Sequence, residues 1–186
     1  MKLLSSSGSK IVLLVLISLL IFTGWQYGGE LIYTKFLVGT TNVSLGIIKT
    51  DTHIEYEKKA GSDNKYQFKV NTVIDGRKGS YPQEVGGLLQ PFVIILSWQI
   101  FIFFVINRKS AIISLVTNVA VFMLVQIIFL ILLTGYYTSD IQQFIFSIML
   151  DSFYIVALIL IIKDNILYSV FRKRKLEDDN QAIQRL

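Results

Sequence analysis

Residues 141–162 read IQQFIFSIMLDSFYIVALILII. An apolar helix needs about 20 residues at ~1.5 Å each to cross a bilayer, and this stretch has that length. One residue does not fit it: Asp151, an acid near the middle. A carboxylate at such a depth costs roughly 2.5–3.5 kcal/mol on insertion scales, so something has to compensate it. The composition of the whole chain agrees with a membrane reading. Of 186 residues, 53% are hydrophobic and 17% charged, against about 25% charged in a soluble domain, and the mean hydropathy is +0.56. The apolar residues are blocked into runs and not spread periodically, which separates a membrane protein from a soluble domain of this length.

Three more runs precede this one. Residues 11–27, IVLLVLISLLIFTGWQY, follow a short basic start and close on Trp25 and Tyr27, residue types that favour the membrane interface. No A-x-A-like site follows, so the run reads as an uncleaved first helix. Residues 86–106 form a second apolar run with Pro91 in its first turns, where a helix tolerates proline best. Residues 111–134 form a third. The links are short: Asn107-Arg108-Lys109-Ser110 on one side, and residues 135–140, with Tyr136 and Tyr137, on the other. The expected fold is a mainly α membrane protein with four transmembrane helices and a small extracytoplasmic antiparallel β segment between helices 1 and 2. Its units are residues 1–28 (tail and helix 1), 29–85 (β-rich domain), 86–163 (helices 2–4) and 164–186 (basic juxtamembrane helix and tail).

The polar segment carries its own pattern. Residues 30–38 suit a short helix on the membrane surface. Val43, Leu45 and Ile47 then alternate with polar neighbours, as do Ile54, Tyr56 and Lys58, and Tyr66, Phe68 and Val70. Period-two patterning bounded by Gly, Asp and Asn predicts strands. A five-residue loop over 60–64 sets Tyr56 opposite Phe68, Ile54 opposite Val70 and Glu55 opposite Lys69, which puts apolar residues on one face and opposite charges on the other. Asp75-Gly76 is a second turn signal.

Basic residues set the orientation. One short turn holds Arg108-Lys109 and the other has no basic residue. Both termini are therefore expected in the cytoplasm and residues 29–85 outside, in a cell (inner) membrane. Beyond Ile162, residues Leu167, Val170 and Phe171 share a helical face leading to Arg172, Lys173, Arg174 and Lys175. Each such cation is worth about 1 kcal/mol near an anionic leaflet. They read as a lipid-headgroup anchor, or as a plain stop-transfer flank.

Topology also sets depths. Counting inward from each outer helix end by the distance of Asp151 lands near Ser18, Gln99 and Gln126, with Ser147 one turn away on the same helix. All four helices thus offer a polar side chain at one midplane level. Three roles fit the acid: a neutral member of a packed polar layer, a docking point for a partner's cation, or a titrating group on an ion path.

Other chemistries are excluded or weakly supported. With no cysteine and one histidine, His53, thiolate catalysis and a two-histidine zinc motif are unavailable within one chain. Aspartic chemistry needs two neighbouring carboxylates, whereas Asp140 and Asp164 stand at opposite ends of the last run. His53 lies near Asp51 and Glu55, more simply a solvated cluster than a metal site. No cofactor or metal is expected. The net charge of +5 suits anionic lipid, and no nucleic-acid-binding fold accompanies it.

The plan of one helix, an outer segment and three closely spaced helices resembles the small membrane proteins encoded alongside exosortases and archaeosortases. The residues that carry the likeness are Trp25 closing the first span, the Lys65-Tyr66-Gln67-Phe68-Lys69-Val70 segment, the run from Tyr81-Pro82 to Gln90-Pro91, and the Asn107-Arg108-Lys109 turn. The sorting enzymes use Cys, Arg and His in their membrane region. A chain without Cys and without a membrane His looks like the accessory and not the enzyme. Claudin-like proteins share the layout, but their paired outer cysteines and Trp-Gly-Leu-Trp element are missing. The expected function is that of a non-enzymatic accessory or assembly subunit of a cell-envelope complex. It would bind a larger membrane protein, an exosortase-like sorting enzyme by resemblance, through its outer β domain and polar midplane. The alternative is a small transporter or ion-conducting subunit with Asp151 as its titrating group.

Overall fold

The computed structural model describes residues 7–48, 51–59, 66–74, 76–83, 87–150, 152–168 and 170–171. The chain is mainly helical with a small antiparallel sheet of three strands. Helix α1 (Ser7–Gly24) passes through a π-helical turn (Trp25–Gly29) into α2 (Glu30–Ile48). Strands β1 (His53–Lys58), β2 (Tyr66–Ile74) and β3 (Arg77–Gln83) follow, then α3 (Gln90–Val105), α4 (Arg108–Leu133), α5 (Asp140–Leu150) and α6 (Phe153–Tyr168).

Among the described residues, two helices are long and apolar enough to cross a membrane: Ser7–Ile48, of 42 residues, and Arg108–Leu133, of 26. A third candidate is the pair α5 and α6, bent by 53°. By length and composition, two or up to three of the four expected spans are therefore long and apolar enough to cross. Helix α3 has 16 residues, roughly 24 Å at ~1.5 Å per residue, which is short of the ~30 Å hydrocarbon layer. It is buried on most sides through Phe92, Val93, Ile95, Trp98, Phe101 and Ile102. An all-round apolar helix belongs at the centre of a bundle, and α3 packs against α1, α4 and α6.

The first helix is interrupted at a defined place. Tyr27 leaves helical geometry (φ −86°, ψ 25°), and Gly28 takes φ 117°, a conformation that essentially only glycine adopts without strain. The chain then resumes as helix and continues to Ile48, where the alternation of Val43, Leu45 and Ile47 predicted a strand. Burial explains the difference. Tyr33, Leu37, Thr41 and Leu45 are buried at four-residue intervals, a helical stripe, while Val43 and Ile47 stay exposed. The hydroxyls of Thr34, Thr40, Thr41 and Ser44 each donate to the carbonyl four residues back, so these β-formers and turn-formers are satisfied within the helix.

The sheet has the expected number of strands with one different member. Strands β1 and β2 pair with Ile54 opposite Val70, Glu55 opposite Lys69 and Tyr56 opposite Phe68, the register that the charge and apolar pattern requires. The third strand is β3, entered through Gly76 at φ 75°, in place of residues 43–47. Its Pro82 sits on an edge strand, where a missing N–H is tolerated. Ile54, Phe68 and Val70 are buried and join the same apolar core as Leu37 and Leu45 of α2. Asn42 clamps α2 to β1: its side chain donates to the Ile54 carbonyl and accepts from the Ile54 N–H, both at 2.8 Å.

Two tyrosines tie the sheet to the helices. The Tyr56 hydroxyl donates to Glu30 at 3.1 Å, and the Tyr81 hydroxyl donates to the Leu133 carbonyl at 2.8 Å, at the end of α4. Burial, and then the neighbouring Tyr137, push the Tyr81 phenol up to about 12; burial and then the Glu30 carboxylate raise that of Tyr56 as well. A phenol ionises near pH 10 in the unfolded chain. The raised folded values therefore contribute stability that is present below about pH 10 and lost as the pH rises toward 12. Tyrosinate absorbance followed with thermal melts in detergent should show this alkaline loss. Tyr81→Phe should lower stability at neutral pH by about 1 kcal/mol and shrink the alkaline loss.

Candidate functional site

Among the described residues, the charged side chain that is fully buried in the helix bundle is Asp164 on α6. One of its oxygens, Oδ2, accepts from four donors on two other helices. Trp98 Nε1 (3.0 Å) and Gln99 Nε2 (3.1 Å) come from α3. Ser114 Oγ (2.7 Å) and Asn118 Nδ2 (2.7 Å) come from α4. The other oxygen, Oδ1, lies 3.2 Å from the ammonium of Lys163, which also donates to Asn118 Oδ1 at 2.6 Å. Lys163 is about one-third exposed (34%), so its stem runs along the bundle with its charge at the rim of the cluster.

Local sequence places each partner. Ser114 and Asn118 are one turn apart on α4 and so share a face. Trp98 and Gln99 are neighbours on the widely buried side of α3, and both are themselves buried, so both can point into protein. A carboxylate offers about four lone-pair sites in all, and four donors meet on one oxygen here. The arrangement holds an anion firmly and joins α3, α4 and α6 at one point. Two buried acceptors, Gln99 Oε1 and Asp164 Oδ1, make no hydrogen bond among the described residues, although the second has the ion pair with Lys163.

A second polar node lies toward the sheet end. Gln126 of α4 donates to the Leu88 carbonyl at 2.6 Å and accepts from the Tyr33 hydroxyl of α2. Around it Tyr33, Phe92 and Trp25 pack ring on ring.

The residues expected to form one midplane layer are thus distributed. Gln99 joins Asp164. Gln126 joins Tyr33 and Leu88. Ser147 is exposed and bonds the Gln143 carbonyl of its own helix. Ser18 is half-buried and lines an apolar groove of about 690 Å³ between α1 and α3. Asp151 lies outside the described residues, as do Arg172, Lys173, Arg174 and Lys175. Val170 and Phe171 turn back onto the bundle. Phe171 stacks near Trp98 and Phe101, and Lys10 donates to the Val170 carbonyl.

Asp164 was not among the residues singled out from sequence, because it sits beside Lys163 at the end of an apolar run and reads as a helix boundary. The signal for it is the Ser114–Asn118 pair together with Gln99, all nearer the basic end of their helices than the midplane.

The sheet presents a polar concavity of about 640 Å³ lined by Asp51, His53, Glu55, Lys69, Asn71 and Lys78 among others. His53 Nε2 lies 3.3 Å from Glu55 and 3.1 Å from Asn71. The chain matches no protein-family model, no curated protein and no solved structure.

Removing the acid from a buried cluster leaves donors and a cation without their partner, which typically costs about 3–5 kcal/mol. Asp164→Ala is expected to lower the melting temperature in detergent more than Ser114→Ala does, with Asp164→Asn between them, since the amide retains one acceptor oxygen.

Proposed function

We propose that this chain is a non-enzymatic accessory subunit of a membrane complex, and that it acts by binding. In this reading four segments cross the bilayer (α1, α3, α4 and the α5–α6 pair), both termini are cytoplasmic and the sheet is outside. The distribution of charge supports that orientation. Lys10, which meets Val170 at the end of α6, and Arg108 and Lys109, which open α4, gather at one end of the bundle. Tyr81 and the sheet meet α4 at its other end. Basic residues favour the cytoplasmic side.

The observation that carries the reading is the two-sided sheet. Its apolar face is covered by α2, and its polar face, with the concavity around His53, Lys69 and Lys78, is left open at the outer end of the molecule. The layout resemblance suggests an exosortase-like sorting enzyme as partner. Co-expression with such an enzyme and purification through a tag on this chain in mild detergent is expected to yield one complex by size exclusion with light scattering. Lys69→Glu combined with Lys78→Glu should cut the recovered enzyme at least tenfold; unchanged recovery counts against the sheet face as the binding surface.

A second reading, a small ion-conducting subunit, is favoured by two buried acceptors in the cluster, Gln99 Oε1 and Asp164 Oδ1. It predicts that the purified protein alone moves protons or sodium in liposomes and that Asp164→Asn stops the flux.

A further inference from the structure

The apolar groove of about 690 Å³ between α1 and α3 has a cation at one end. Leu14, Ser18 and Phe22 of α1 line it, with Trp98 of α3, Ile161 of α6 and Phe171. Leu14, Ser18 and Phe22 step by four residues and so share a stripe of α1. Lys10 continues that stripe by one more step. Its ammonium donates to the carbonyl of Val170, the residue before Phe171. Helix spacing and this contact thus set Lys10 at the same end of the groove. The wall opposite α1 is held in place from behind, because Trp98 Nε1 donates to Asp164 at 3.0 Å.

Lys10 has binding capacity to spare. An ammonium carries three donors, and one is used on Val170. Among the described residues no carboxylate pairs with it. Helices α1 and α3 contain no acid, and Asp164, the one acid of α6, is already met by Lys163 and its four donors. Lengths add to this, with α1 and α3 crossing the bilayer as proposed above, on which the inference rests. From Leu14 to Phe22 the groove follows α1 for about 12 Å at ~1.5 Å per residue, close to the ~15 Å depth of one leaflet's hydrocarbon. Lys10 stands one turn further along, at the level of the headgroups.

We infer that the groove is a binding site for one anionic phospholipid, with an acyl chain along Leu14, Ser18 and Phe22 and the phosphate on the Lys10 ammonium. Each half of the site asks for a different half of that ligand. An apolar chain alone fills the groove and leaves the cation without a counter-charge. A soluble anion meets Lys10 and leaves the groove unused. A phosphate on an acyl chain supplies both, through a charge-assisted hydrogen bond and apolar contact. Basic pockets between membrane helices bind anionic headgroups on the same principle. The site needs Lys10 at a membrane surface, whichever surface that is, so it does not depend on which end of the bundle is cytoplasmic.

The chain has two tryptophans, Trp25 and Trp98, so Trp25→Phe leaves a single indole, in the groove wall. In phosphatidylcholine vesicles its fluorescence should be quenched by lipids brominated on their acyl chains. Brominated phosphatidylglycerol should reach half-maximal quenching at a mole fraction about fivefold lower than brominated phosphatidylcholine, the preference that one lysine near a membrane surface supplies. Lys10→Gln, which keeps a donor for Val170, should bring the two lipids level. Lys109→Gln, exposed at the start of α4, should leave the preference intact. In the chain with both tryptophans, native mass spectrometry from mild detergent should show one retained phosphatidylglycerol, lost with Lys10→Gln. Equal quenching by the two lipids before the Lys10 change, or the same anionic preference after it, overturns the inference. Quenching by neither lipid, in vesicles that keep the chain through a high-pH wash, rejects the groove alone. Release of the chain by that wash rejects the crossing of α1 and α3, and the lipid site with it.

Discussion

The bundle depends on one carboxylate. Asp164 is buried, and its charge is met by donors on α3 and α4 and by the adjacent lysine. In hydrocarbon, apolar surface gives helices little reason to associate, because lipid tails are as apolar as leucine; packing and polar contacts decide. An ion pair with four further donors is directional, so it specifies which faces of three helices meet. The aromatic contacts around it, Trp98 with Phe101 and Phe171, then fill a space whose geometry the carboxylate has set.

A second, weaker constraint acts at the sheet end of the bundle. Gln126 bridges α2 and the entrance to α3, Asn42 clamps the first strand, and Tyr81 closes the third strand onto α4. A three-stranded sheet of this size buries too little to stand alone. These contacts make it part of the helical core, since Ile54, Phe68 and Val70 share one apolar cluster with Leu37, Leu130 and Phe129.

What could be read from the sequence follows the range of the forces involved. The β1–β2 register was legible because alternating charge and apolar residues about a short loop leave one self-consistent pairing. The mainly helical character, with helices long and apolar enough to cross a membrane, was legible in the blocked apolar runs. The strand expected over residues 43–47 was not, because period-two alternation of three residues cannot be told from one face of a helix without knowing that Leu37, Thr41 and Leu45 find a common partner. The Asp164 cluster was hidden for a similar reason. An acid beside a lysine at the end of an apolar run looks like a membrane boundary, and only the fold brings Trp98, Gln99, Ser114 and Asn118 around it.

The position of Asp164 in the chain also imposes an order of assembly. Its four donors lie on helices made earlier, and the acceptor arrives later in the chain, on α6. Without α6, Gln99, Ser114 and Asn118 lack their shared partner, and α3 lacks one wall of its packing. The bundle can therefore close on this point only once α6 has been made, with Val170 and Phe171 packing behind it against α3 and the start of α1.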